Sequence, residues 1–207
     1  MRAVPILLED RGQDLSYWGC TTNGEFSVSS VYEIVAGLRD HTGGILENMK
    51  WIWHLRCPER IRVFIWILYL NKLNVNEVRA RKGMTAYVFC DRCPGRVESI
   101  EHVFCECPDA MNIWGRLKAN TSVTSFLTRP FKEWLKLNCL TMTVGVDGIQ
   151  WNIIFISSLW SLWKSRNIRI YEGKCMRSED IFQYAYKLSM DIKAAWSLNV
   201  RRAVKSP

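Results

Sequence analysis

The sequence holds no Asp-Asp pair anywhere in its 207 residues. Polymerases hold two metal ions on paired aspartates, so a complete polymerase site is excluded. Beyond position 170 the carboxylates reduce to Glu172, Glu179, Asp180 and Asp191, with no run of strands to converge them on Mg²⁺. That excludes a ribonuclease H site in this stretch. Glycine-rich phosphate loops and a serine nucleophile elbow are missing as well. Long apolar runs are also lacking. Ile61 to Leu70 contains Arg62, Ile153 to Trp163 contains serines, and both fall short of the about 20 residues that a bilayer span needs. The opening Met1-Arg2-Ala3-Val4-Pro5 soon meets Glu9, Asp10 and Arg11, so no secretory leader is expected, and with it no extracellular disulfide framework. The expected setting is an intracellular, reducing compartment, nucleus or cytoplasm alike, with no membrane contact.

What the chain has in quantity is apolar bulk, positive charge and thiols. Hydrophobic residues make up 48%, ten residues are tryptophan, and the formal net charge is +8. A packed interior is expected, and the charge favours a polyanionic partner such as nucleic acid. The cysteines number eight. Three of them fall into a pattern: Cys90, two residues, Cys93, eight residues, His102, four residues, Cys107. Three thiolates and one imidazole complete a tetrahedral shell about Zn²⁺ and leave no open position for a reacting water, so the pattern points to one structural zinc. Ordinary buried thiols are the bland alternative, weakened by the histidine lying within the same short span. Cys105 competes with Cys107 for the fourth position. Cys107 is preferred, because it would close a short turn begun at His102 and hand the chain to Pro108, a residue suited to a first helical turn. Pro94-Gly95 is expected to break the chain and return it toward His102. A zinc deaminase would place its catalytic Glu two residues after the His ligand, where this chain has Phe104.

The remaining pattern is mostly helical. Tyr17 to Val28 reads as a short hairpin around Asn23-Gly24, and Ser30 with Glu33 caps a helix carrying Val31, Ile34, Val35 and Leu38. Trp51 and Trp53, two apart, suggest an extended segment before a buried helix from Pro58 through Leu70. His41 and His54 have no ligand-type neighbours; His41 is expected to be solvent-exposed and His54 to lie in the core or on the surface. Asn74 with Glu77 suggests another cap, closing at Gly83. That short helix carries Arg79, Arg81 and Lys82, and the knuckle adds Arg92 and Arg96; guanidinium and ammonium groups on a metal-fixed turn suit phosphates. A merely solvated face is the competing reading. Helices are further expected after Pro108, around Phe131 to Leu135, from Ile149 to Arg169 with Ile153, Ile156, Trp160 and Trp163 on one face, and from a Ser178 cap with Ile181, Ala185, Leu188, Ile192 and Ala195.

Val88-Phe89-Cys90-Asp91-Arg92-Cys93, Glu101-His102-Val103-Phe104, Glu106-Cys107-Pro108 and Ile113-Trp114 together resemble a reverse-transcriptase zinc-binding domain, the kind that follows the polymerase in plant non-LTR retrotransposons. The resemblance extends back through Arg81-Lys82-Gly83, through Trp53, Leu55, Pro58, Ile61, Phe64 and Trp66, and through Asp14 to Tyr32 with Trp18, Gly24 and Phe26-Ser27-Val28. Downstream, Leu162-Trp163-Lys164-Ser165-Arg166-Asn167 is similar to the linker that precedes a ribonuclease H domain.

The resulting expectation is a mostly α protein with a small zinc knuckle, a short N-terminal β-hairpin and a C-terminal helical hairpin. Its divisions are 1–120 for the zinc-binding domain with the knuckle at 90–107, 121–148 for a linker with a short helix, and 149–207 for the helical hairpin. The chain is expected not to be an enzyme, and to be a fragment without the polymerase and ribonuclease H domains. Its partners would be RNA or DNA, or those domains of a parent polyprotein. Two other readings stand beside this: a spacer whose zinc only maintains the fold, and a decaying copy without a selected role.

Overall fold

One long helix organises the packing. The computed structural model describes residues 49–117, 126–145 and 147–204, and from Met49 onward the chain forms one compact unit. The hairpin expected near Trp18 and the helix expected from Ser30 lie outside the described residues. Those described are mostly helical, with one two-stranded antiparallel hairpin. In order they form α1 (Glu59–Tyr69), α2 (Asn76–Arg81), β1 (Phe89–Cys90), β2 (Cys93–Val97), a π-helical turn (His102–Glu106), α3 (Pro108–Leu117), α4 (Phe131–Leu140), α5 (Trp151–Glu172) and α6 (Ser178–Val204).

The central helix α5 packs against α6, α4, α1, α3 and the π-turn. The sequence suggests a single apolar stripe, but Phe155, Leu159 and Leu162 are buried as well as Ile153 and Ile156, so α5 is enclosed on several sides. Four serines share that enclosure: Ser157, Ser158, Ser161 and Ser165. Ser158 and Ser161 donate to the carbonyls of Ile154 and Ser157 at 2.8 and 2.6 Å, which lets small polar residues enter a helix contact without stranding those hydroxyls. Gly173, at φ 65°, ends the helix and donates its N–H to the Arg169 carbonyl. Trp114 of α3 and Trp134 of α4 meet Phe155 at centroid separations of 5.3 and 4.9 Å, forming an aromatic core where three helices join.

Local expectations fail where a distant residue supplies the bond. Residues 49–53 are helical rather than extended, because the buried set is Met49, Ile52 and Leu55 at helical spacing, while Trp53 is exposed. Asn74 does not cap α2. Its side chain accepts from Lys82 Nζ, and the first N–H of α2, on Asn76, is satisfied by Glu98 Oε1 at 2.8 Å from the far side of the hairpin. Ser178 likewise caps nothing. Its hydroxyl donates to Asp109 at 3.1 Å, and helical bonding reaches back to the Arg177 carbonyl. No described helix is long and apolar enough to cross a membrane.

Candidate metal centre

The hairpin that presents the first two cysteines is minimal. β1 pairs with β2 through Phe89 opposite Val97 and Cys90 opposite Cys93, with a bulge between the two pairs. The chain therefore reverses at Asp91-Arg92, inside the Cys-x-x-Cys spacing. Pro94-Gly95 fills the bulge. Gly95 at φ 76° takes the left-handed conformation that other residues resist, and proline, lacking an N–H, is tolerated where ladder bonding is interrupted.

The other two donors come from the π-turn. Its wider winding bonds residue i to i+5, and the Cys107 N–H donates to the His102 carbonyl at 2.7 Å. A residue five positions on thus returns to the same side as His102. The Ser99 hydroxyl accepts the His102 N–H at 3.0 Å and anchors the start of the turn. From Cys107 the chain enters α3 at Pro108, and Trp114 Nε1 donates back to the Phe104 carbonyl at 2.7 Å.

These two pieces bring the donor atoms of Cys90, Cys93, His102 and Cys107 within 4.8 Å of one another, three of the four residues buried. Both ring nitrogens of His102 are buried without a hydrogen-bond partner, a costly state for an imidazole unless an ion takes one of them. Glu106 Oε2 stands 3.6 Å from Nδ1, near where a carboxylate steadies a metal-bound imidazole. The Cys107 thiol, hydrogen-bonded to Cys90, lowers the Cys90 pKa to about 4, while that same bond and burial raise Cys107. Burial raises Cys93. Soft donors, tetrahedral number and partnerless imidazole all fit Zn²⁺.

Cys105 lies outside the group, and burial pushes its thiol up to about 12. Cys57 is similarly raised to about 12 by burial, and burial raises Cys139 as well. Buried thiols of this kind are inert. Cys105→Ser is expected to leave the zinc content at one per chain, checked by metal analysis of the purified variant. Loss of zinc in that variant would move the fourth donor away from Cys107.

The five basic residues expected to meet nucleic acid divide. Arg92 turns inward: its guanidinium donates to both carboxylate oxygens of Asp109 at 2.9 and 2.7 Å, and to the Met176 carbonyl at 3.1 Å. Asp109, buried two residues beyond Cys107, also accepts from Arg169 of α5 and Ser178 of α6. Arg92 therefore clamps the two donor-bearing segments together and onto the C-terminal helices. Arg96 is exposed and pairs with Glu106 at 3.1 Å. Arg79 donates to Asn76 Oδ1 and lies 5.8 Å over the Tyr171 ring. Arg81 and Lys82 are exposed.

Sequence reasoning missed the contact between the two most specific motifs. Arg166 of Trp163-Lys164-Ser165-Arg166-Asn167 is 2% exposed and bonds Glu98 Oε1 at 2.5 Å, with Glu98 at 0%. Its guanidinium also reaches Asn76 Oδ1 and Asn167 Oδ1 at 3.0 and 3.2 Å. Trp163 stacks on Phe64 of α1 at 6.4 Å. A segment resembling a linker is in this structure a buried clamp on the zinc hairpin. Arg166 falls four residues after Leu162 and seven after Leu159, in register with the buried side of α5, and that register is the signal that could have shown it.

Residues 26–114 match the family described as zinc-binding in reverse transcriptase. The chain is 29% identical over all its 207 residues to an Arabidopsis thaliana protein that carries the name of a ribonuclease H protein. It spans 33% of that protein's length. No solved structure matches. The matched stretch, which is under half of the chain, contains the Cys₃His group able to hold one metal ion.

Proposed function

We propose that the chain is a non-catalytic, zinc-stabilised module that associates with RNA or DNA through the basic surface beside the zinc hairpin. Cys90, Cys93, His102 and Cys107 hold the ion. The observation that carries the reading is the closed donor set: four protein donors within 4.8 Å fill every tetrahedral position, so the ion supplies rigidity and no activated water. The net charge of +8 and the exposed Arg81 and Lys82 favour a polyanion. Arg79 and Arg96 flank them, and Arg92 contributes by holding the hairpin. Ribonuclease H activity belongs to the name of a relative of which this chain spans a third, and the module's place would be beside such a catalytic domain or a polymerase domain.

A salt series tests the reading. Binding of zinc-loaded protein to RNA and DNA is expected to weaken steeply between about 50 and 200 mM salt. Lys82→Ala is expected to reduce the slope of log affinity against log salt by about one. A flat response favours the second reading, a protein-contacting spacer, which has its own support in the exposed run Leu137, Leu140, Met142 and Val144.

A further inference from the structure

Large exposed aromatic side chains invite explanation on a protein that buries so many others. Two of them sit side by side on the zinc hairpin. Tyr87 is 50% exposed and Phe89 38%, with ring centroids 5.8 Å apart at 73°. Strand alternation turns Cys90 into the metal group and leaves Phe89 outside. Val97, paired with Phe89 across the ladder, is exposed too, and so is Met84 in the connection from α2.

The backbone under these rings is held from behind. The Phe89 carbonyl accepts from Asn76 Nδ2 at 2.9 Å, the Val88 carbonyl accepts from the Glu98 N–H at 2.9 Å, and both Asn76 and Glu98 are bonded to the buried Arg166. The metal group fixes the next residue. An apolar platform is therefore already ordered before anything binds. Basic residues stand close to it along the chain: Lys82, whose Nζ donates to Asn74, precedes Tyr87 by five residues, within roughly 17 Å of chain, Arg81 is exposed next to Lys82, and Arg79 reaches over the ring of Tyr171, itself 65% exposed.

We infer that this face binds single-stranded nucleic acid, with bases stacking on Tyr87 and Phe89 and phosphates meeting Arg81 and Lys82. The inference rests on the nucleic-acid reading above and narrows it. Exposed rings can accept only bases that are out of a duplex stack, and stacking tolerates any sequence. Positive charge a few residues from the rings, on a chain of net charge +8, favours a strand carrying phosphates over an apolar protein partner.

Zinc-loaded full-length chain is titrated with fluorescein-labelled oligo(U), oligo(dT) and a mixed-sequence duplex, each of about 15 nucleotides per strand, a length that exceeds most single-strand footprints. Both single strands are expected to bind at least about tenfold more tightly than the duplex, and Tyr87→Leu and Phe89→Leu each to weaken them about fivefold or more, with an unchanged salt slope. Phe89→Trp restores binding. Zinc content and thermal midpoint stay at wild-type values, since both rings lie at the surface. Equal affinity for strand and duplex, with the leucine variants like wild type, overturns this inference and leaves the nucleic-acid reading standing. Absence of binding to all three probes overturns both. A dimer in sedimentation that Phe89→Leu dissolves assigns the face to a second copy of the chain and overturns the inference as well.

Discussion

Stripping the zinc, or replacing Cys90 by Ser, is expected to abolish the cooperative thermal transition of the region from Val88 to Trp114 and to shift tryptophan emission to the red. The hairpin cannot stand alone: β1 is two residues long and β2 five, and an isolated two-stranded ribbon is marginal even when longer. The π-turn is a rare, weakly supported geometry that here ends at Cys107. Without an ion, both His102 nitrogens stay buried and partnerless, and three sulfurs crowd together with nothing to bridge them. Structural zinc contributes about 10 kcal/mol or more of apparent folding free energy in small zinc modules, as much as the whole stability of an ordinary domain. Trp114 is the reporter, because its indole N–H donates to a carbonyl of the π-turn. Circular dichroism and fluorescence with and without chelator measure the effect; unchanged spectra after the metal is removed would show that the hairpin folds without it.

Arg166→Met is expected to destabilise the chain by about 3–5 kcal/mol, the usual cost of leaving one member of a buried ion pair without the other. Glu98, at 0% exposure, would keep its bond to the Asn76 N–H while losing the guanidinium that pairs with it. For a chain of this size that corresponds to a melting temperature lower by roughly 10 °C. Because Arg166 also holds Asn76, whose side chain supports Phe89, the hairpin should loosen from α5 while keeping its metal. Urea denaturation gives the stability, and hydrogen exchange at the Phe89 and Glu98 amides locates it. Adding Glu98→Gln to Arg166→Met should recover part of the loss, since the stranded carboxylate is then gone. A loss under about 1 kcal/mol in the single variant would mean that the pair is solvated and carries none of this coupling.

Most of the helices were legible because their buried residues repeat at helical spacing. Ile181, Ala185 and Ile192 mark α6, buried as the spacing predicts, whereas α1, apolar nearly all round, was legible from its length and the preceding Pro58. The grouping of Cys90, Cys93, His102 and Cys107 was legible for a different reason, since metal donors announce themselves by residue type and not by periodicity. What could not be read is where distant residues supply the local bond. Asn74 and Ser178 have capping chemistry, yet Glu98 and Asp109 draw on their neighbourhoods from elsewhere in the chain. Arg92 illustrates the same limit. Its position in the knuckle reads as a phosphate contact, and only the folded chain shows that Asp109 lies within its reach. Pro94-Gly95 reads as a break in the chain, a signal that a bulge within β2 also satisfies.

X-ray absorption at the zinc edge on purified, zinc-loaded protein tests the central claim most directly. One zinc per chain is expected, surrounded by three sulfurs at about 2.3 Å and one nitrogen at about 2.0–2.1 Å, and Cys93→Ser is expected to lose the zinc. A shell dominated by oxygen, a shell of four sulfurs, or a purified chain that holds no zinc would contradict it.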